Sequence, residues 1–481
     1  MALRDITRRI RAVIVMLVAF TALGCAGYSA SVRDAQIDLL AGRTEAALQV
    51  INEQLDLERP EDIPRDLRRN RVLLLLERAT LLQAIGEYEL SARDMMAVDQ
   101  RMEWLDLDGD KSVDLAKYLY SASATPYRAP AYERLLLNTI NMINFLALGN
   151  MQGAKVEARR FNLLESFFGD YSSSGDALVP QLLAVGNYLG GVAFESARDY
   201  DIAARYYARA WAHGFQPAWF REQLTDLFRV TGSRVRPEQV DALAELIDAA
   251  RTQGPLSAAD YRAQHIAHNA VIVVQTGLVP QKVAERWPIG AAVGFATQHR
   301  RQSLTSAQVV EVNRLAVSGA LKWVNFPRLS EERLPGAAVT VYDNAQPLPY
   351  ALAADVDEQV RVAWNDGAGG LINTAILRML TRAVAGGATA AGGQAIAKSE
   401  DKPAIGVLGW LAGVAVEGAM TAADVPDTRS WSTLPATIYI ARQRLAPGEH
   451  QFRVDVGSAT ESRSVQLSDD RVQVLNFSRN R

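Results

Sequence analysis

Few residues of this chain have types and spacing suited to chemistry, and the most conspicuous is the one cysteine among 481 residues, Cys25. A protein thiol acts as a nucleophile, as a metal ligand or as a site of covalent modification. Cys25 lies where an apolar run ends and a short stretch of small residues begins, in Ala22-Leu23-Gly24-Cys25-Ala26-Gly27. The surrounding residues therefore have to decide which of these chemistries applies.

The residues before Cys25 have the order of a secretory signal. Four arginines between residues 4 and 11 form a basic leader, and Ala12–Leu23 is apolar apart from Thr21. This order indicates a signal peptide, because a bilayer-spanning helix needs about 20 apolar residues. Residues 22–25 resemble the bacterial lipobox, although Ala22 replaces the usual leucine. The resemblance implies a lipoprotein signal peptide over residues 1–24 and lipidation of Cys25. An uncleaved anchor and an ordinary secreted chain are the alternatives.

The residues that follow Cys25 bear on the destination of the lipidated chain. Two or three acyl chains give stable membrane anchoring, whereas one chain gives only a marginal hold. Ala26 and Gly27 stand where lipoproteins retained in the inner membrane of enteric bacteria carry an aspartate. The resemblance therefore implies an outer-membrane protein, held by its lipid anchor and facing the periplasm.

The other candidate sites for chemistry are weaker. Asp106, Asp108 and Asp110 have the spacing of an EF-hand calcium loop, but lysines occupy the positions of its essential glycine and glutamate. His265 and His268 are too close together for the H-E-x-x-H zinc motif. Nucleotide-binding loops and nucleophile elbows are absent from the sequence. We therefore predict no metal, no cofactor and no enzymatic activity.

Composition excludes some classes of function. Removal of residues 1–24 takes away four arginines and one aspartate, so the formal charge changes from −3 to −6. A mildly acidic chain argues against nucleic-acid binding, which requires a basic face. With Cys25 acylated, no thiol remains for disulfides, for catalysis or for a cysteine-based zinc site.

The hydrophobic pattern predicts an α+β protein with two regions. In residues 25–250, leucine and alanine recur at three- and four-residue spacing, which predicts helices. Some segments there resemble tetratricopeptide (TPR) units, in which small residues let two helices cross closely and aromatic rings fill the gap. We therefore expect an all-α, TPR-like solenoid, with plain helical hairpins as the alternative. The fullest such run contains Gly191, Phe194, Asp199-Tyr200, Ala203, Tyr207 and Ala210.

Residues 251–481 have a different texture, which predicts a β-rich C-terminal domain with Gly/Ala-rich helices. Residues 369–424 are rich in glycine and alanine, and their small-x-x-x-small spacing suits close helix packing, with membrane insertion as the alternative. Four strands near the C-terminus predict a small antiparallel β-sandwich over about residues 430–481. Further strands are predicted at Asn269–Gln275, Ala338–Tyr342 and Glu358–Trp364.

Two compact groups of aromatic and charged residues are candidates for partner binding. Residues 126–133 combine prolines with aromatic rings, and residues 429–431 place an arginine beside a tryptophan. Tryptophan, tyrosine and arginine are common at interface hot spots, but the same groups can equally stabilise the fold. The candidates are Tyr127, Arg128, Tyr132, Glu133, Arg429 and Trp431.

Several stretches together resemble a family of uncharacterised Gram-negative outer-membrane lipoproteins with a TPR-like N-terminal half. They are the pair Tyr132-Glu133, the helix end Asn144–Gly149, the helix start Val156–Arg160, and residues 268–289 and 422–454. The resemblance implies architecture more than activity. Genes of this family often lie near those of other envelope lipoproteins, including an activator of peptidoglycan synthases, so it points to partners of these kinds.

These observations favour a lipid-anchored scaffold or adaptor that mediates protein–protein interactions in a bacterial envelope assembly. Two alternatives stay open at this point. One is an enzyme or glycan binder that acts on peptidoglycan or polysaccharide, and the other is a component of an oligomeric export or pore complex. Homo-oligomerisation is compatible with each of them.

Overall fold

A computed structural model gives the architecture of the chain. It describes residues 28–67, 70–101, 127, 129–170, 179–232, 240–298, 304–317, 323–332, 337–399 and 426–479. The predicted signal peptide, Cys25, the aspartate-rich loop at residues 104–114 and Arg128 lie outside the described residues.

The N-terminal half consists of packed helices, as the leucine and alanine spacing predicts. Glycines with positive φ end several of them, for example Gly149 at 70° and Gly232 at 74°, a conformation that other residues adopt only with strain. The helices are α1 Tyr28–Ser31, α2 Arg33–Leu40, α3 Thr44–Gln54, α4 Arg71–Ala84, α5 Tyr88–Arg101, α6 Ala131–Ala147, α7 Met151–Asp170, α8 Pro180–Ser196, α9 Tyr200–Ala212, α10 Ala218–Thr231, α11 Val240–Gln253 and α12 Ala258–His265.

Helices that are consecutive in the chain pack against each other, α4 with α5, α6 with α7 and α8 with α9. At the α8–α9 crossing, a Cβ added to Gly191 would lie 2.3 Å from the ring of Tyr207, which is itself fully buried. The predicted close crossing of a small residue and an aromatic ring is therefore confirmed. Within the described residues the structure shows packed helical pairs, and it does not show a solenoid.

The strands and the remaining helices follow residue 268. They are β1 Asn269–Thr276, β2 Lys282–Pro288, α13 Ile289–Gln298, α14 Ser306–Val317, β3 Trp323–Leu329, β4 Val339–Asp343, β5 Gln346–Leu348, β6 Tyr350–Asp355, α15 Val356–Ser399, β7 Thr437–Arg444, β8 Glu449–Val456, β9 Ala459–Gln466 and β10 Gln473–Arg479.

The central sheet has the strand order β10-β1-β7-β6, and β1 lies between layers on both of its faces. All eight residues of β1 are buried. Val271 and Val273 belong to the core shared with the helices, whereas Ile272 and Val274 belong to a core shared with a second sheet. This double burial explains why β1 is a nearly continuous run of β-branched residues.

The second sheet has the order β5-β4-β8-β9 and is antiparallel throughout. It packs on the central sheet through Val341, Phe452 and Val454, so the molecule has a helical layer and two sheet layers. The predicted C-terminal strands are present. The sandwich also includes β1 and β4–β6 from residues 269–355, and β1 pairs with β10 in parallel.

A smaller unit has a core of its own. The satellite module comprises β2, α13, α14 and β3, residues 282–329, and β2 pairs with β3. Its apolar core includes Phe326 of β3 together with Ile372 and Ile376 of α15. The start of α15 belongs to the main core through Val356 and Val360. This helix, about 66 Å long at 1.5 Å per residue, therefore joins the two cores.

The strand predicted at Glu358–Trp364 is wrong, because these residues form part of α15. Their alternation of polar and apolar side chains suits a strand, but Asp355, three residues before Glu358, caps a helix that begins at Val356. Its carboxylate accepts a hydrogen bond from the backbone N–H of Glu358 at 3.0 Å, which satisfies a donor that a helix start leaves free. A local cap thus overrides the alternating pattern.

Candidate functional site

The two predicted partner-binding groups meet inside the molecule, where residues 426–436 cross the helical layer. All residues of this crossing segment are buried except Asp427. Two glutamates, Glu77 on α4 and Glu133 on α6, contact it from the helical side. Both carboxyl groups are almost completely excluded from solvent, and such groups persist in a fold only when hydrogen bonds or charges satisfy them.

The carboxylate of Glu77 accepts four hydrogen bonds. The backbone N–H groups of Ser432 and Thr433 donate at 2.9 and 2.8 Å, and the hydroxyls of Ser432 and Tyr28 donate at 2.8 Å each. Burial raises the pKa of Glu77, and the hydrogen bonds from Thr433, Ser432 and Tyr28 offset only part of that effect. Glu77 thus fixes the path of the crossing segment through neutral donors.

Glu133 holds the neighbouring residue of the same segment. Its carboxylate accepts the backbone N–H of Trp431 at 3.1 Å and the hydroxyls of Tyr127 and Tyr132. Burial also raises the pKa of Glu133, and the positive charge of Lys282 opposes this rise. Through Glu133, the predicted partner-binding residues Tyr127 and Tyr132 are thereby connected to Trp431, which was predicted for the same role.

Arg429 and Trp431 complete this site. The indole N–H of Trp431 donates to the hydroxyl of Thr80 at 3.1 Å, and the ring is fully buried. The Arg429 guanidinium binds the Asp427 carboxylate at 2.6 Å and lies 5.6 Å from the ring centre of Tyr127. The structure therefore brings five of the six candidates together in an internal contact between the two halves of the chain.

A second buried polar site, which the sequence analysis does not predict, is centred on Glu195 of α8. It pairs with Arg442 of β7 at 2.9 Å and accepts the hydroxyls of Tyr207 and Tyr261. The amide of Gln223 donates to it at 3.0 Å. The sequence signal for both sites is a charged residue inside an apolar helix, as in the Leu-Leu-Glu-Arg run around Glu77, because such a charge requires a buried partner.

One pair resembles part of a catalytic triad. The Nδ1 atom of His450 lies 2.8 Å from the Asp343 carboxylate, and its Nε2 atom lies 2.9 Å from the carbonyl oxygen of Ala446. Both ring nitrogens of His450 therefore have partners within the protein. The pair instead joins the end of β4 to β8.

The remaining sequence candidates have structural roles or lie outside the description. His265 binds the Asp226 carboxylate at 2.9 Å, and the backbone N–H of His268 donates to Ser468. In the part of the chain that is described, no group of His, Cys, Asp and Glu side chains could hold a metal ion. A search of the same residues finds no helix with the length and hydropathy needed to cross a membrane.

Large apolar side chains are exposed on the satellite module, as Val156 and Leu163 are on α7. On α14, Val310 is 67 % exposed and Val317 is 91 % exposed, and their seven-residue spacing places them on one face. Trp323, at the start of β3, is 44 % exposed. Exposed apolar side chains on a unit with its own core make the satellite module a candidate contact surface.

Comparisons with known proteins give no further guide. No protein-family model matches the chain, and neither a curated protein nor a solved structure resembles it significantly.

Proposed function

We propose that this protein is a lipid-anchored, periplasm-facing scaffold or adaptor that docks other proteins in a bacterial envelope assembly. The lipobox at Cys25 and the family resemblance in the sequence support the location. The observation that carries the docking role is the exposed apolar surface of the satellite module, defined by Val310, Val317 and Trp323.

This surface suits a protein partner better than a small substrate. The module has its own core, so it keeps its shape without burying these three side chains. Apolar and aromatic residues on a preformed surface supply binding energy when a partner covers them. The helices of the N-terminal half would act as a TPR-like solenoid that supports this surface from the membrane. Other envelope lipoproteins and proteins of peptidoglycan synthesis are the proposed partners.

The buried polar sites support the same proposal. Their carboxylates are occupied by donors from the chain itself, as at Glu77, Glu133 and Glu195. Such contacts hold the helical half to the crossing segment and to β7. A rigid body with an exposed apolar surface is the arrangement that an adaptor needs.

Photo-crosslinking in intact cells tests this function. A photoreactive amino acid at Val317 is expected to capture a specific envelope protein, and the same group at Gln152, an exposed position on α7, is the control. The double variant Val310→Asp/Val317→Asp should abolish the crosslink formed from position 323. Its fold should be unchanged, since both side chains are exposed.

The matched control for the double variant is Asn313→Ala, which changes an exposed polar residue on the same helix. It should retain the crosslink from position 323. Equal crosslinking from positions 317 and 152, or a crosslink that survives both aspartates, would rule out the module as the docking surface.

A further inference from the structure

We propose that the face of the body around α1 and the start of α2 lies directly on the lipid surface in one fixed orientation. The inference rests on lipidation of Cys25, which is part of the proposed function. Its basis is the position of Tyr28, which is buried in the fold only three residues after the acylated cysteine.

Tyr28 is held firmly by the body. Its side chain is 4 % exposed, and its hydroxyl donates to the buried carboxylate of Glu77 at 2.8 Å. Val32, one turn later, is also buried, and the hydroxyl of Ser31 donates to the Tyr28 carbonyl at 2.7 Å. The first residues of the described chain therefore belong to the core.

The covalent chain limits how far this core can lie from the membrane. Three residues span at most about 11 Å even when fully extended. A linker of tens of flexible residues would let the body turn and move away, but the distance from Cys25 to Tyr28 leaves no room for one. Because the acyl chains lie in the bilayer, the surface next to Tyr28 must face the lipid headgroups.

A second connection of the chain leads to the same face. The hydroxyls of Ser29 and Thr428 are 3.0 Å apart, so the crossing segment begins beside α1. The chain outside the structure between residues 399 and 426 contains the apolar run Ala404–Val416, and it rejoins the body at Pro426. Nine residues, 417–425, separate that run from Pro426, so the chain between Val416 and Pro426 spans at most about 36 Å. The lipid expected at Cys25 and the apolar sequence that precedes Pro426 both favour a bilayer as the occupant of this face.

The described side chains of α2 suit this position. Arg33 and Ile37 are both exposed, Ile37 by 53 %, and their four-residue spacing places them on one helix face. An arginine binds lipid phosphates, and an isoleucine beside it inserts into the interface. Asp34 is also exposed on this helix, so the contact relies on position and not on a purely basic patch.

The single cysteine makes the orientation measurable. Since acylated Cys25 leaves no free thiol, a cysteine introduced elsewhere is the unique site for a fluorescent label. We would label Arg33→Cys and, as a control, Ser458→Cys, which is exposed in the β8–β9 turn of the second sheet. The full lipoprotein would be placed in phosphatidylethanolamine–phosphatidylglycerol vesicles that carry a headgroup quencher.

We expect quenching at position 33 to exceed that at position 458 several-fold. Insertion of 20 Gly/Ser residues between Gly27 and Tyr28 should reduce the signal at position 33 to the level of position 458, with the lipid still attached. The mass of the intact protein would be measured first. A chain without acyl groups would overturn both this inference and the lipid-anchor part of the proposed function.

With the lipid confirmed, three results would overturn the orientation alone. They are equal quenching at both positions, quenching at position 33 that survives the linker insertion, and a difference that arises only in native envelopes. The last result would assign the face to a protein partner instead of lipid.

Discussion

Glu77 and Glu195 are two of the buried carboxylates that hold the helical half to the rest of the chain, and they are satisfied by different means. Glu77 receives four hydrogen bonds from neutral groups, two of them from the backbone at Ser432 and Thr433. Glu195 receives a guanidinium from Arg442 in addition to neutral donors. One site therefore depends on the path of a backbone segment, and the other depends on one cationic side chain.

The difference appears in the ionisation of the two sites. At Glu77 the neutral donors do not fully offset burial, and the pKa of the carboxyl stays above its usual range. At the other site burial alone would lower the pKa of Arg442, but Glu195 and the neighbouring tyrosines raise it well above its ordinary value. Backbone donors at Glu77 thus fix the path of the crossing segment, but they leave part of the cost of burying the charge. At Glu195 the guanidinium of Arg442 neutralises the charge directly.

The largest effect is expected from Arg442→Met, which removes the cation and leaves the Glu195 carboxylate buried. Loss of one partner of a buried ion pair costs about 3–5 kcal/mol in the free energy of unfolding. Chemical denaturation followed by tryptophan fluorescence would measure it. Arg444→Met, two residues along the same strand and exposed, is the matched control and should change stability by less than about 0.5 kcal/mol.

A double variant shows whether the pair is the cause. Arg442→Met combined with Glu195→Gln should be more stable than the sum of the two single effects implies, because no uncompensated charge remains. Strict additivity of the two substitutions would contradict the role given to the ion pair.

A smaller loss is expected from Glu77→Leu, which leaves two backbone N–H groups and two hydroxyls without their acceptor. Each unsatisfied buried donor costs about 1–3 kcal/mol. Because local rearrangement gives some of these donors new partners, we expect a total loss of about 3 kcal/mol in the free energy of unfolding. Denaturation midpoints would again report it. Glu77→Gln keeps one acceptor oxygen and should cost less, and equal losses for Leu and Gln would contradict the hydrogen-bond account.

Removal of one hydroxyl at each site compares the two directly. Tyr28→Phe deletes one of four donors to Glu77, and Tyr261→Phe deletes one donor to Glu195. We expect about 1–2 kcal/mol for Tyr28→Phe, in the range of hydrogen bonds to charged groups, and less for Tyr261→Phe. Glu195 keeps Arg442 as a counter-charge, so it depends less on any one hydroxyl. A larger loss of stability for Tyr261→Phe than for Tyr28→Phe would contradict the proposed difference between the two sites.

The smallest effect concerns pH. The folded-state pKa of Glu133 is raised, so between the unfolded pKa and the folded pKa the native state binds more protons than the unfolded state. Its contribution to stability therefore improves as pH falls through this window, and the penalty is fully present above the folded pKa. The free energy of unfolding of the wild type, minus that of Glu133→Gln, should increase from pH 7 to about pH 4.5. If the difference between the two free energies of unfolding does not change with pH, burial of the Glu133 charge does not affect stability.

Much of the fold could be predicted from local pattern. The helices between residues 28 and 253 follow from leucine and alanine spacing, and β1 follows from its run of β-branched residues. The contact between Gly191 and Tyr207 was visible as a small residue and a ring at suitable spacing. The exception at Glu358–Trp364 arose because the strand pattern there is local, while the cap at Asp355 decides the helix.

The candidate site was predictable only in part. Tyr127, Glu133, Arg429 and Trp431 stand out by residue type, but type does not distinguish an external anchor from an internal one. Glu133 and the backbone N–H of Trp431 are in contact across 298 residues of sequence. No spacing rule covers a pair of this kind, because the contact depends on how the helical layer meets the crossing segment.

The sequence by itself predicts a lipobox-like signal at Cys25, and it determines the absence of any other thiol and the order of helices before strands. Those features depend on neighbouring residues, which the chain keeps together in any conformation. Only the tertiary structure decided that Glu77 meets Ser432, 355 residues away, and that Tyr28 is buried beside both. The reason is physical, since a carboxylate can be desolvated only where folding brings enough donors to it, and those donors come from distant parts of the chain.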